Sequence, residues 1–143
     1  GEKDYQQLCI IRRMVQDLDL STRIHGMPIV RDSDGLAMSS RNAYLSPEER
    51  RQARSLGRCL AQARSHFDQG ECDAERLRQR VEDGIAEESL AEIDYIRAVD
   101  SQSLRPVAQV PPHGIVLAVA VRFGAIRLID NCVLEPPAEG HGA

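Results

Sequence analysis

A continuous apolar run from Ile115 to Val121 limits most strongly how this chain of 143 residues can fold. Its length is that of a buried strand, well short of the roughly 20 apolar residues that a membrane-spanning helix needs. A second strand-like segment, 125–133, follows after the short Phe123-Gly124 turn, and a third, 93–99, precedes the run. We therefore expect a small antiparallel sheet in the last third of the chain.

The segments before this sheet have helical spacing. Ser46-Pro47 followed by Glu49 combines an N-cap, a proline in the first turn and a capping-box residue, so a helix is predicted over 47–69, ending at Gly70. A second predicted helix, 73–88, has a narrow apolar stripe. That stripe consists of Leu77, Val81 and Ile85. The fold class is therefore α+β, with antiparallel strands packed on helices.

The first thirty residues predict one more helix and one more strand. Apolar residues recur at helical spacing after Asp4, and Asp4 with Gln7 has the spacing of a capping box, which predicts a helix over 5–17. Residues 21–30 read as a short strand whose Gly-Met-Pro restricts pairing. A helix followed by a strand is typical of the end of an α/β unit.

Composition argues against several classes of function. The formal charge of -4 and an aromatic content of 3% disfavour nucleic-acid binding. The chain has no pattern of a secretory leader, so we expect a cytoplasmic protein without membrane association. Four scattered cysteines without a C-x-x-C pair, and histidines without ligand spacing, suggest no metal site.

Lys3 is the single lysine of the chain, against 17 arginines. One interpretation is a bias towards arginine codons that left one lysine by chance. The other is that this position needs a compact ammonium group, as phosphate sites often do. The residues alone leave both open.

A turn-rich loop contains Ser39-Ser40-Arg41, whose hydroxyl groups, backbone N–H groups and delocalised charge could bind a polyphosphate. An ordinary polar loop is the simpler interpretation. Lys3 beside a helix N-terminus favours the phosphate site, because two donor sets could close on one nucleotide. Asp4 and Gln7 could either cap the helix or bind ligand.

Four blocks of the sequence resemble the pantothenate synthetase family, in order and at its spacing. The resemblance extends over roughly residues 1–134 and is more specific than any one block. The blocks are residues 1–7 (GEKDYQQ), 26–31 (GMPIVR), 34–42 (DGLAMSSRN) and 127–131 (RLIDN).

The resemblance implies an enzyme that activates pantoate with ATP and Mg²⁺ to pantoyl-adenylate and pyrophosphate. The amine of β-alanine then displaces AMP. It also implies a role for each matching residue. The residues for ATP are Gly1, Glu2, Lys3, Asp4, Val30, Met38, Ser39, Ser40 and Arg41, of which Lys3, Ser39, Ser40 and Arg41 are catalytic, and Gln7 is the residue for pantoate.

The resemblance further implies a division of the chain. Residues 1–34 would be the last helix and strand of a Rossmann-like nucleotidyltransferase domain, and 35–135 a KMSKS-like loop with a small C-terminal lid domain. Residues 136–143 are predicted to be a disordered tail. The family's N-terminal nucleotide-binding half and its catalytic histidines lie outside this sequence, so we expect this chain alone to be inactive.

Two other functions stay open. The chain could belong to another adenylate-forming nucleotidyltransferase of the same superfamily, with a different carboxylate substrate. It could also be a non-catalytic dimerisation or lid domain, with the apolar strand 115–121 as half of a homodimer interface.

Overall fold

The computed structural model describes residues 1–137. The described part is α+β, with four α-helices, two short 3₁₀ turns and three strands. The helices are α1 (Tyr5–Asp17), α2 (Pro47–Ala53), α3 (Ser55–Asp68) and α4 (Ala74–Ala86); the strands are β1 (Ala91–Asp100), β2 (Ile115–Phe123) and β3 (Ile126–Leu134); the 3₁₀ turns are Glu2–Asp4 and Ser40–Tyr44.

The three strands form one antiparallel sheet in the order β1-β2-β3, as predicted. β2 and β3 form a hairpin in which Phe123 pairs with Ile126 and Ile115 pairs with Leu134. Gly124 in the connecting turn has φ of +63°, a conformation that favours glycine. The apolar run is thus the central strand, and its side chains are largely buried within this chain. Strand β2 therefore presents little exposed surface for the alternative in which it forms half of a dimer interface.

One face of the sheet packs on α3 and α4. The apolar stripe predicted for α4 is fully buried against this face. Alternate residues of β2 point from the sheet into the same core. The core is built mainly from Leu56, Leu60, Leu77, Val81, Ile85, Ile115, Leu117, Val119, Val121 and Phe123.

The predicted helix starts and stops are largely confirmed. Ser46 and Glu49 form the reciprocal capping box, Asp73 caps α4 by accepting from the N–H of Arg76 at 3.0 Å, and Gly70 has φ of +108° after α3. The single helix predicted over 47–69 is divided at Arg54 into α2 and α3. Helical hydrogen bonds still connect Arg54 to Arg50 and to Arg58, so the break is local.

The strand predicted over 21–30 is absent from the part of the chain that the structure describes. These residues have no regular secondary structure and no neighbouring strand, and Pro28 has no N–H group to donate. Single hydrogen bonds replace a ladder: the carbonyl of Met27 accepts from Glu2, and that of Val30 accepts from Met38, both at 2.9 Å.

Within residues 1–137, no helix combines the length and apolar character needed to cross a bilayer. Residues 136 and 137 have no regular secondary structure. The rest of the predicted tail, 138–143, lies outside the described residues.

Helices α3 and α4 approach closely at Gly84. A Cβ atom at this position would lie 2.5 Å from the sulfur of the buried Cys59. We predict that Gly84→Ala lowers the free energy of unfolding by about 1–2 kcal/mol, because overpacking costs more than the gain in helix propensity. Urea unfolding measures the change.

A double-mutant cycle with Cys59→Ala tests that cause. If the methyl group collides with the sulfur, the double variant will be more stable than the two single changes predict, by at least about 1 kcal/mol. Strict additivity would contradict the proposed contact.

The loop after β1 begins at a buried carboxylate. Asp100 accepts hydrogen bonds from the N–H groups of Gln102 and Ser103 at 2.9 and 2.8 Å, and it pairs with His113. Burial raises the pKa of Asp100, but the bonds from Ser103, His113 and Gln102 outweigh burial and lower it to about 2.

Because the folded-state pKa of Asp100 lies below its ordinary value, this carboxylate stabilises the fold above about pH 4. We predict that its contribution is lost between about pH 4 and pH 2. Asp100→Asn will therefore destabilise the chain at pH 7 and flatten the fall of stability across that window, as measured by urea unfolding at several pH values. Asp68→Asn, at an exposed carboxylate, is the matched control; equal profiles for both variants would refute the assignment.

Candidate functional site

The start of α1 is shaped by the 3₁₀ turn that precedes it. Asp4 ends that turn with φ of -93° and ψ of 63°, outside the extended geometry of a capping residue, and its side chain makes no capping bond. The capping box predicted for Asp4 and Gln7 is therefore wrong. Both side chains are exposed at the helix start.

Lys3 contacts the serine-rich loop, although Lys3 and Met38 are 35 residues apart in the chain. Its Nζ donates to the carbonyl oxygen of Met38 at 2.9 Å. Burial lowers the pKa of Lys3; Asp130 and Asp4 raise it, while Arg41 and Arg31 lower it. The ammonium group thus has a neutral carbonyl as its hydrogen-bond partner.

The loop itself is ordered by short polar contacts. Ser39 Oγ accepts from the N–H of Arg41 at 3.1 Å, which caps the 3₁₀ turn that Ser40 begins. The N–H of Met38 donates to the carbonyl of Val30 at 2.9 Å. Arg41 Nη1 donates to the carbonyl of Arg127 on β3 at 3.2 Å. The loop therefore contacts both Lys3 and the sheet.

A salt bridge connects β3 to the segment before the loop. Arg31 donates to both carboxylate oxygens of Asp130, at 2.6 and 2.8 Å, and to the carbonyl of Gly35 at 3.1 Å. The Asp130 side chain is 1% exposed. The hydrogen bond to Asp130 is the main reason that the pKa of Arg31 is raised, so this guanidinium is already neutralised.

Asn131, the next residue of β3, binds the N-terminal turn. Its Nδ2 donates to the carbonyl oxygens of Glu2 and Lys3, at 2.8 and 3.1 Å. Two adjacent residues of one strand thus contact both segments that carry the predicted nucleotide-binding residues.

A cleft of about 450 Å³ lies between the start of α1 and the sheet. Lys3, Asp4 and Gln7 line it, together with Tyr95 and Arg97 from β1. The other predicted site residues do not line this cleft: Gly1, Glu2, Val30, Met38, Ser39, Ser40 and Arg41 lie outside it. Lys3 is the residue common to the cleft and the loop.

The charges of this region favour an anion. Among residues 1–137, Lys3 and Arg41 have no carboxylate oxygen within 4.0 Å, unlike Arg31. The described residues contain no group of three or more His, Cys, Asp or Glu side chains that could bind a metal ion. Two cations with neutral carbonyls as partners can bind phosphate oxygens without breaking a salt bridge.

Sequence reasoning gave no role to Arg31, Asp130 or Asn131, although all three lie in the matching blocks. One signal was present: Asp130 directly follows the apolar residues Leu128 and Ile129 in a predicted strand, and a buried carboxylate requires a partner. Its partner is 99 residues away in the chain.

A family model described as pantoate-beta-alanine ligase matches residues 1–133. Pantothenate synthetase of Heliobacterium modesticaldum is 52% identical over 135 residues, which cover 94% of this chain and 48% of that protein. The corresponding enzyme of Geobacter sulfurreducens is 53% identical over 134 residues, with coverage of 94% and 47%. The chain thus spans about half the length of these relatives.

Solved structures agree. Pantothenate synthetase from Thermus thermophilus has a TM-score of 0.86 and 40% identity, covering 95% of this chain and 49% of that one. A pantoate-beta-alanine ligase from Francisella tularensis, complexed with beta-gamma ATP and beta-alanine, has a TM-score of 0.58 and 26% identity, with coverage of 93% and 41%. With its four sequence blocks gathered around Lys3 and β3, this chain belongs to the pantoate-beta-alanine ligase family.

Proposed function

We propose that this chain is the C-terminal part of a ligase that condenses pantoate with β-alanine through a pantoyl-adenylate. The observation that carries the proposal is the meeting of Lys3 with the loop 38–41. Lys3 and Arg41 both lie at this loop with carbonyl oxygens as partners. Family membership and the nucleotide-bound Francisella relative support ATP as the ligand.

In the proposed reaction, a carboxylate oxygen of pantoate attacks the α-phosphorus of ATP, and the bond to the pyrophosphate oxygen breaks. Catalysis then depends on positioning the reactants and stabilising charge on the phosphate oxygens. Lys3, Ser39, Ser40 and Arg41 are the residues that we assign to that task. In the second step the amine of β-alanine attacks the acyl carbon, AMP leaves, and the amine loses a proton.

We assign the remaining predicted residues to the same site. The backbone of Gly1 and Glu2, the Asp4 carboxylate, Met38 and the backbone of Val30 contact the nucleotide, and Gln7 binds pantoate. Gln7 shares the cleft with Lys3, which is consistent with substrates that meet at one phosphate. Mg²⁺ arrives with ATP, because phosphate oxygens supply most of its ligands in such sites.

The division of the chain also belongs to this proposal. Residues 1–34 complete a Rossmann-like domain, and 35–135 form the loop and lid. Several large apolar side chains of the first part are exposed, which fits packing against the other half of a full-length relative. They are Ile10, Met14, Leu18, Leu20, Met27 and Val30, with exposed fractions of 46–65%. We therefore propose that catalysis needs that half, and that any homodimer forms through the complete enzyme.

A nucleotide titration tests the phosphate site in this chain. We predict that Mg-ATP shifts the backbone amide NMR signals of residues 3–7 and 38–42. Lys3→Ala combined with Ser40→Ala removes two phosphate contacts, so binding will weaken at least about tenfold. Arg105→Ala, at an exposed arginine of the β1–β2 loop, is the control. Unchanged binding by the double variant would count against the enzyme.

A fusion protein tests which carboxylate substrate the enzyme uses. The half of the Heliobacterium enzyme that this chain does not match is joined before Gly1, and we predict formation of pantothenate from pantoate, ATP and β-alanine. Gln7→Ala will raise KM for pantoate at least about tenfold, while KM for ATP changes little. Gln16→Ala, elsewhere on α1, is the control.

An unchanged KM for pantoate in the Gln7→Ala fusion would favour a different carboxylate substrate. A correctly folded fusion without turnover would favour the non-catalytic lid. The isolated chain is expected to make no pantothenate, and turnover by it would contradict the proposed need for a second half.

A further inference from the structure

We propose that Asp130 and Asn131 of β3 are positioning residues for nucleotide binding: together they align the Lys3 turn with the loop 38–41. The inference rests on the proposed function, which makes these two segments the walls of an ATP site. Neither residue needs to touch the substrate. Each acts through a segment that does.

Asn131 determines where the Lys3 turn lies. A 3₁₀ turn of three residues has few hydrogen bonds of its own, and its position depends on outside partners. One partner is the Met27 carbonyl, which accepts from the N–H of Glu2. The other is the Asn131 side chain, whose amide group donates to two successive carbonyls of the turn, those of Glu2 and Lys3. Losing this amide frees the turn from the sheet.

Asp130 determines where the loop begins. Its carboxylate binds the Arg31 guanidinium through two bonds, and the same guanidinium binds the carbonyl of Gly35. On its other side that carbonyl lies against α3, where a Cβ atom on Gly57 would approach it to 2.7 Å. The turn at Gly35 is therefore confined between Arg31 and α3, three residues before Met38.

The two residues also act on each other. Asp130 Oδ1 accepts from the backbone N–H of Asn131 at 2.8 Å, so one carboxylate contacts both the Arg31 side chain and the residue that binds the Lys3 turn. Bidentate ion pairs and paired amide bonds constrain direction as well as distance. The Lys3 turn and the loop 38–41, which form the proposed site, are thus both positioned relative to these two residues of β3.

Asp130 further affects the charge of Lys3. The groups that act on this ammonium are Asp130 from β3, Asp4 from its own turn, Arg41 from the loop and Arg31 from the preceding segment. Among them, Asp130 is the larger of the two that raise the pKa of Lys3, against the lowering effect of burial. Removing it leaves two arginines and one exposed carboxylate around the ammonium.

Lys3 provides its own probe, because a chain with one lysine gives one side-chain signal when lysine is labelled with ¹³C at Cε. The pH titration of that signal reports the pKa of Lys3, and its shift with Mg-ATP reports binding. We expect Asp130→Asn to lower the pKa of Lys3. The matched control is Asp94→Asn on β1, which removes a carboxylate that pairs with Arg127 and should leave Lys3 unchanged.

For Asn131, the readout is binding. We expect Asn131→Ala to weaken Mg-ATP binding at least about tenfold while α2, α3, α4 and the sheet remain folded, and Asn131→Gln, which keeps the amide donor, to restore part of it. A purely structural role would lower stability in both variants without this difference in binding. Urea unfolding of each variant separates the two effects.

Asp130→Asn removes the charge partner of Arg31, whose side chain is 31% exposed, and changes a side chain that is 1% exposed, so this variant can fail to fold. In that case Arg31→Gln combined with Asp130→Asn removes both charges and keeps polar groups of similar size, which costs less than an unpaired charge. Because Arg31 and Asp130 act on the pKa of Lys3 in opposite directions, the readout for this pair is Mg-ATP binding alone. We expect the pair to weaken that binding as Asn131→Ala does.

Two results would overturn the inference: equal pKa values of Lys3 in the wild type, a folded Asp130→Asn variant and the Asp94→Asn control, or wild-type Mg-ATP affinity in Asn131→Ala or in the Arg31→Gln, Asp130→Asn pair. Failure of the proposed function looks different. In that case Mg-ATP would not shift the Lys3 signal of the wild type. The pH titration of Asp130→Asn and the amide signals of the turn in Asn131→Ala would still show whether β3 positions Lys3.

Discussion

The salt bridge between Arg31 and Asp130 is the interaction on which the arrangement of this molecule depends. A carboxylate that is 1% exposed has lost nearly all of its hydration, and only a well-formed partner compensates for that loss. Arg31 supplies two hydrogen bonds to it. Breaking a pair with both partners buried typically costs about 3–5 kcal/mol, and a surface pair contributes little; with Arg31 31% exposed, this pair lies between the two. The contact therefore limits where the first forty residues can lie relative to the sheet.

The geometry of β3 explains how one strand serves both the core and the site. Successive side chains of a strand point to opposite faces. Asp130 pairs with Val119, a core residue, and Asn131 pairs with Ala118; all four residues line the cleft. Asp130 and Asn131 nevertheless contact different segments, Arg31 and the Lys3 turn. The core behind them, packed on α3 and α4, gives both contacts a rigid support.

The region around Lys3 has the cations and the N–H donors that phosphate chemistry requires. Lys3 and Arg41 donate to carbonyl oxygens, and Arg31 is neutralised by Asp130. Positive charge is therefore available at Lys3, at Arg41 and at Arg97 of the cleft, which lies over the Tyr95 ring. Positioned cations and N–H donors accelerate phosphoryl transfer by stabilising charge. The relatives in this family are about twice as long as this chain. Under the proposed function this chain contributes the phosphate contacts and Gln7, and the other half of the enzyme completes the substrate site.

Local patterns were sufficient for much of the fold. The hairpin of β2 and β3 follows from strand-length apolar segments around a glycine turn, and the starts of α2 and α4 follow from their capping residues. Each of these signals acts within a few residues, so sequence spacing is enough. The four blocks of the family pattern also identified the loop and the Lys3 segment, through the resemblance and not through spacing.

The failures share one physical cause. The capping box at Asp4 did not form because a 3₁₀ turn, whose carbonyls bind Asn131, precedes the helix. Residues 21–30 formed no strand because a strand needs a neighbour that the local sequence cannot supply. The contacts of Lys3 with Met38, Arg31 with Asp130 and Asn131 with Glu2 span 35, 99 and 129 residues. By itself the sequence determined α1, α4, the three strands of the sheet and the family resemblance; only the tertiary structure decided that Asp130 and Asn131 of β3 contact Arg31 and the Lys3 turn, because those contacts join residues with no local relation.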